Sequence, residues 1–513
     1  MEKMLSLGIS GKLLNVIQNM YLQAKSCVKN KENISDYFSC NIGVRQGENL
    51  SPMLFAIFLN DFEYSISRNY DGLRFLASEI NSILSDDDVE HFLRLFTLIY
   101  ADDTIVMAES AEQLQLALNA VYKYCNDWDL TVNTSKTKIV IFSKRRVNDF
   151  PAFLFGHDII EVVDDYTYLG VVFNYNGLFN KAIDKQAKQG LRAFYALLNK
   201  IRKLRLPVDL SFELFDYLVL PVFLYGCEVW GFSNIEQLEV LHRKFLKIIL
   251  GVCKSTPNCM IYGETGRRCV RTTVDSRMIS FYSRIVNGKH NKLSYIMFQL
   301  AKKKHIRDDY FCSWNEHIKF VLNNLGMNYI WNLEGRGFSN ELIKLETTLR
   351  MNDIYHQEWH DNMINHEFCD FYKLVKNDWG KMKYLTDLCF YDRRLLCKWR
   401  CRSNFLPISS SRFTISDDIL CPLCKGEHIG DEIHYLTKCT FFANERSKYL
   451  LQISTHYVLE PILDIFRKEN PNPDHLRNII SFIKIVMFIF DNKSKWDKEM
   501  VFEPLIFDEE EGI

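Results

Sequence analysis

A chain of 513 residues is too long for one hydrophobic core and divides into about two to four domains. Hydrophobic residues make up 47% of it and aromatic residues 14%, which excludes a disordered chain. With 63 Lys and Arg against 64 Asp and Glu, the formal net charge of -1 taken as a whole gives no sign of a polyanionic partner.

The opening stretch, Met1 to Ser10, has neither the apolar run nor the cleavage site of a secretory leader, and the 15 Cys are an odd number spread over a long chain. The expectation is an intracellular, reducing setting, nucleus or cytoplasm, without disulfides. Gly43-Val44-Arg45-Gln46-Gly47-Glu48-Asn49-Leu50-Ser51-Pro52 is the first stretch suited to chemistry. Ser51 suits a helix cap, Pro52 a first turn, and Leu54, Phe55, Phe58, Leu59 and Phe62 continue at helical spacing. Gly43 and Gly47 flank Gln46, where a missing side chain lets a ligand approach the backbone.

Leu95 to Met107 sets Asp102-Asp103 between two β-prone apolar runs, which predicts a hairpin with an acidic tip. Two adjacent acids there either make the turn or hold magnesium, because two-metal phosphoryl transfer needs hard carboxylate oxygens on rigid backbone. Ser110-Ala111-Glu112-Gln113 is a capping box, with Leu114, Leu118, Val121 and Cys125 repeating helically behind it. Ile139 to Phe142 reads as a buried strand. Strand, helix and strand around an acidic hairpin make an α+β layer arrangement.

Four stretches in order, Gly47 with Ser51-Pro52, Tyr100-Ala101-Asp102-Asp103, Leu130 to Lys138, and Tyr168-Leu169-Gly170, resemble consecutive palm motifs of reverse transcriptases of the non-LTR (LINE-type) retrotransposon branch. The resemblance implies a polymerase right-hand palm with Asp102 as a magnesium-binding catalytic carboxylate and Asp103 beside it. It implies Tyr100 near the primer terminus, Gln46 and Gly47 lining the nucleotide and template pocket, and Lys136 approaching the incoming triphosphate. Tyr168, Leu169 and Gly170 resemble the hairpin that grips the primer 3′ end. RNA template, DNA primer and deoxynucleoside triphosphates are the partners so implied. The family pattern also needs a further metal-binding Asp ahead of a segment resembling Leu5-Leu7-Gly8-Ile9, and residues 1–35 contain no Asp. The expectation is an incomplete palm, fingers missing, with weak or absent polymerase activity; the alternative is a non-catalytic nucleic-acid-binding remnant.

Residues 181–305 carry +13 and the remainder -14, including Asp508 to Glu511. Lys181, Lys185, Lys188 and Arg192 share one helix face, opposite Ile183, Ala187, Leu191, Phe194, Leu198 and Ile201. Such a row is a solvated face or a phosphate-backbone contact, and its place after the palm motifs matches the family's thumb. The apolar runs Tyr217 to Cys227 and Ile485 to Phe490 are too short to span a bilayer. Arg393, Arg394, Lys398, Arg400 and Arg402 interleave with Trp399 and Phe405, a composition suited to phosphate contacts and base stacking. Cys227, Cys253 and Cys389 read as small apolar core residues.

Cys421, Cys424, His434 and Cys439 have the spacing of a tetrahedral zinc site, with His428 as the competing ligand. This too resembles the C-terminal Cys/His motif of LINE-type proteins. The expected organisation is a partial palm over 1–180, a helical basic thumb over 181–290, a helical connector over 291–400, a zinc knuckle-like module over 401–445, and a helical tail with an acidic end over 446–513.

Overall fold

The computed structural model describes residues 1–496 other than 23, 32, 41–42, 46, 69–72, 75–93, 96, 101–102, 290–292, 309–312, 411–418, 425–427 and 469. The chain forms two compact units: Met1–Thr167, Phe173–Leu178 and His290–Tyr310 in the first, and Tyr168–Val172, Phe179–Lys289 and Phe311–Ile513 in the second.

The first unit is α+β. Its central helix, Ala111–Asp127, begins where the capping box places it: Ser110 Oγ accepts from the Gln113 N–H at 3.2 Å. Leu118, Val121 and Cys125 are buried from that helix, against Phe62 and Ile66 on one side and Phe153, Phe155 and Ile160 on the other. The last three belong to a small mixed sheet in which Phe153–Phe155 runs antiparallel to Asp158–Val162, and Asp158–Val162 runs parallel to Lys138–Ile139. The strand expected over 139–142 is shorter. Only Lys138 and Ile139 pair, so Ile139 is buried while Phe142, beyond its partner's reach, is exposed.

The helix expected through Phe62 is broken into Ser51–Phe58 and Phe62–Ser67. Lys3 accounts for the break: its Nζ donates to the Phe58 carbonyl at 2.5 Å, to Asp61 Oδ1 at 2.5 Å and to the Tyr124 hydroxyl at 2.7 Å, above the Trp128 ring at 3.7 Å. A carbonyl taken by an ammonium leaves the helical ladder there. Ser51 does not cap; its hydroxyl donates to the Arg45 carbonyl at 2.6 Å.

The second unit is helical. Helix Asn180–Leu204 buries Ala182, Ile183, Ala187, Gly190, Phe194, Leu197, Leu198 and Ile201. Gly190 permits the closest approach, since a Cβ there would lie 1.6 Å from Phe223 Cδ1. Between helices Val208–Leu214 and Leu220–Phe223 the chain takes one wide π-helical turn, Phe215–Val219. Phe215 and Val219 point into the core, Phe215 stacking on Phe245 at 4.2 Å, while Tyr217 and Leu218 face outward.

In the cationic stretch near residue 400, Arg393, Arg394 and Lys398 are half-buried, while Arg400 and Arg402 do not reach the surface. Arg400 is fully buried and bonds Glu264 through Nη2 at 2.9 Å and the Phe466 carbonyl through Nη1 at 2.7 Å. Arg402 pairs with buried Glu432 at 3.0 Å, and Trp399 is core. Burial pushes the Glu264 carboxyl up, but Arg400 and Lys376 outweigh it and hold the carboxyl below its ordinary range. Cys227 is buried as expected, Cys253 is half-buried, and Cys389 is exposed at a helix entry rather than in the core. Among the described residues, no helix is long and apolar enough to cross a membrane.

Candidate nucleic-acid interface and metal centre

In the first unit, Thr97–Tyr100 and Asp103–Val106 form an antiparallel hairpin whose register runs from Thr97 opposite Val106 to Tyr100 opposite Asp103. Asp103 is exposed; Asp102 and Gln46 lie outside the described residues. Gly47 has φ +85°, a conformation that favours glycine. Its loop is pinned at both ends, by the Tyr21 hydroxyl donating to Glu48 Oε2 at 2.9 Å and by Arg45 Nη2 donating to the Met20 carbonyl at 2.8 Å. Lys136 is exposed in a turn that Asn133 organises, Oδ1 accepting from the Lys136 N–H at 3.2 Å.

In the second unit, the Tyr168-Leu169-Gly170 turn and the basic helix share a groove. Lys181, Asp184, Lys185, Lys188, Gln189 and Arg192 border an open depression of about 430 Å³ along one face of their helix. Gly170, Lys185, Gln186, Gln189, Pro221, Val222 and Tyr225 line a second of about 370 Å³. Lys185 and Gln189 border both, so the row of cations leads to the turn. The turn itself needs left-handed backbone, with φ +46° at Leu169 and +81° at Gly170. The Tyr225 hydroxyl donates to the Leu169 carbonyl at 2.9 Å, and a Cβ on Gly170 would lie 2.8 Å from Tyr225 Cε1. Glycine at 170 is thus required twice, by the dihedral and by the ring above it.

Also in the second unit, one ligand atom each from Cys421, Cys424, His434 and Cys439 lie within 4.8 Å of one another. His428 is not in the cluster; its ring leans on His434 at 5.4 Å, and its carbonyl accepts from the Cys421 N–H at 2.8 Å. Asp431 caps the helix Glu432–Thr437 and so orients His434. Burial, and then His428, lower the His434 pKa, a shift towards the neutral imidazole that a ligand offers. Burial raises the Cys421 thiol, yet the Tyr435 hydroxyl and the Cys424 and Leu423 N–H groups outweigh it and bring the pKa below the ordinary value. Burial pushes Cys439 up to about 12. Three soft sulfurs and a neutral imidazole, closely grouped and mostly buried, could hold a metal ion.

Residues 1–173 match the family described as reverse transcriptase (RNA-dependent DNA polymerase). The match covers about a third of the chain and is a likeness over those residues. The chain is similar to a transposon-derived protein of Caenorhabditis elegans, 26% identical over 164 residues, covering 31% of this chain and 57% of that protein. It is similar as well to the RNA-directed DNA polymerase from mobile element jockey, at 24% over 220 residues in both Drosophila funebris and Drosophila melanogaster, covering 41% of this chain and 22% of each relative. Both relatives are, by their names, polymerases of a mobile element. The chain spans only part of the length of the curated relatives it matches.

The reverse transcriptase match implies a palm-type fold, and the α+β first unit, with its acidic hairpin and layered helix, is consistent with one. Tyr168, Leu169 and Gly170 fall inside the matched residues but belong to the helical second unit. Tyr225 is the groove residue that motif reading passes over. Its contact spans 56 residues, and the only local signal is the Tyr225-Gly226 pair closing an apolar run.

Proposed function

We propose that this chain serves RNA-directed DNA synthesis in a non-LTR retrotransposon, by nucleotidyl transfer to a primer 3′-OH on an RNA template. The primer oxygen bonds the α-phosphorus of a deoxynucleoside triphosphate, the α–β bridging bond breaks, and pyrophosphate leaves. The observation that carries this reading is the ordered set of four motifs within residues matched to the reverse transcriptase family. Asp102, with Asp103 beside it as a less directly liganded acid, would hold magnesium, which when bound supplies charge neutralisation on the triphosphate. Exposed Asp103 at the end of a hairpin is a donor of the hard type magnesium takes. Gln46, Gly47, Tyr100 and Lys136 border the nucleotide. Tyr168, Leu169 and Gly170 hold the primer end, and Lys181, Lys185, Lys188 and Arg192 neutralise backbone phosphates as a thumb. Cys421, Cys424, His434 and Cys439 form a zinc module that adds a second nucleic-acid contact. The organisation is a palm over 1–180, thumb over 181–290, connector over 291–400 and module over 401–445.

The test is primer extension by residues 1–513 with RNA template, DNA primer, nucleotides and magnesium. Any extension is expected to vanish in the double variant Asp102→Ala, Asp103→Ala, and persistence there overturns the assignment. Primer–template binding is expected to weaken steeply with salt. Absence of binding at low salt overturns the nucleic-acid reading, whereas binding without extension selects the non-catalytic remnant.

A further inference from the structure

Tyrosine ordinarily buries its ring and offers its hydroxyl to water. Tyr225 does the reverse. Its hydroxyl is spent on the Leu169 carbonyl at 2.9 Å, while the residue remains 52% exposed over the groove. The backbone beneath is equally constrained. The Tyr225 carbonyl accepts from Nε1 of fully buried Trp230 at 3.0 Å, and Gly226, at φ +70°, sits so close to Val171 that a Cβ would lie 2.8 Å from its Cγ2. The ring is therefore held from both ends and stays half-exposed over the cleft.

What surrounds that ring points to the occupant. Lys185, Gln186, Gln189, Pro221 and Val222 complete the cleft, and Lys181, Lys188 and Arg192 continue it along the helix. The one acid in the row, Asp184, accepts from Gln237 Nε2 at 2.8 Å. A flat apolar face followed by cations at helical spacing matches a nucleic-acid strand, with a base on the ring and successive phosphates on the lysines. A purely apolar protein partner would gain nothing from the cations and is disfavoured by the same arrangement.

We propose that Tyr225 is a base-stacking platform beside the Leu169-Gly170 turn, taking the base of a nucleic-acid strand whose backbone runs along the 181–192 cations. This rests on the nucleic-acid reading above and assigns a contact to a residue outside the reverse transcriptase match. The experiment uses the full chain and a fluorescent DNA primer annealed to RNA, with 5-iodouracil as the primer's last base. Tyr225→Ala is expected to weaken binding about tenfold or more, the loss of one stacked base. Tyr225→Trp and Tyr225→Phe, which keep a ring, are expected to stay within a few-fold of wild type. Photocrosslinking of the wild type is expected to map to the Tyr225 peptide. The charge variant Lys188→Glu, Arg192→Glu separates the two layers of inference. If it abolishes binding while Tyr225→Ala binds as wild type and no crosslink reaches Tyr225, the platform is overturned and the nucleic-acid reading stands. If wild type does not bind at low salt, both fail. Thermal melting of each variant identifies a folding defect, and the wild-type crosslink decides the matter independently of any variant.

Discussion

The Cys/His cluster gives the most demanding prediction because its dimensions can be compared with those a metal imposes. Zinc bound tetrahedrally at about 2.3 Å from sulfur and about 2.0 Å from nitrogen separates two sulfurs by about 3.8 Å and a sulfur from a nitrogen by about 3.5 Å. Cys421 Sγ and Cys439 Sγ are 3.8 Å apart, and Cys424 Sγ and His434 Nε2 are 3.5 Å apart. These two pairs are already at bonding separations, and all four ligand atoms lie within 4.8 Å of one another, so binding needs only a modest contraction of the cluster. The expected stoichiometry is one zinc per chain by elemental analysis after desalting, with tetrahedral ligand-field bands on cobalt substitution. Cys439→Ser and His434→Ala are expected to lose the metal; His428→Ala is expected to keep it. At free zinc a hundredfold above its dissociation constant the site stabilises the fold by about 2.7 kcal/mol, which a chelator removes, lowering the urea midpoint. Zinc absent from the wild type, or retained in Cys439→Ser, refutes this assignment, and loss in His428→Ala refutes the choice of ligand.

Three further outcomes follow from the second unit. Glu264→Gln leaves the buried Arg400 guanidinium without its counter-charge and is expected to destabilise by about 3–5 kcal/mol in urea unfolding; a loss under about 1 kcal/mol contradicts the pairing. Lys376 is buried, which lowers its pKa from 10.5 to about 8 against the pull of Glu264. Between those two values the unfolded lysine keeps a proton that the folded one has released, so stability rises with pH from about 8 towards 10.5. Lys376→Met is expected to flatten that rise, and an unchanged slope argues against it. Gly190→Ala drives a methyl into Phe223 and is expected to cost about 1–3 kcal/mol, with basic-groove binding weakened in step; a neutral melting temperature shows that the two helices separate freely.

Features encoded within a few residues were legible in the sequence: the Ser110 cap, the apolar stripe of the helix after residue 180, and the convergence of Cys421, Cys424, His434 and Cys439. Each depends on spacing alone. Features set by distant partners were not. Arg400 and Arg402 read as surface cations because Glu264 lies 136 residues away and Glu432 lies 30 away, and composition cannot announce such pairs. The break at residues 59–61 depends on Lys3, and the shortness of the strand at Ile139 depends on how far Asp158–Val162 extends. Tyr225 was hidden for the same reason. The overall charge misled through averaging, and even within the +13 stretch many cations serve the fold: Arg267 pairs with Asp216, and Arg271 donates to the Ser233 carbonyl at 2.8 Å. The row from Lys181 to Arg192 is what lines a groove.

The wide turn at Phe215–Val219 acts as a phase adjuster. An α-helix rotates about 100° per residue, so a single additional residue within one turn resets the direction of everything that follows. Downstream of it lie Phe223, seated against Gly190, and Tyr225, tied to Leu169. Their aim is set by a residue count rather than by the outward side chains of Tyr217 and Leu218. Exchanges at those two positions leave the aim intact, whereas deleting one residue swings the groove wall away from the turn it supports. The segment should therefore tolerate drift at Tyr217 and Leu218 but not a change in length.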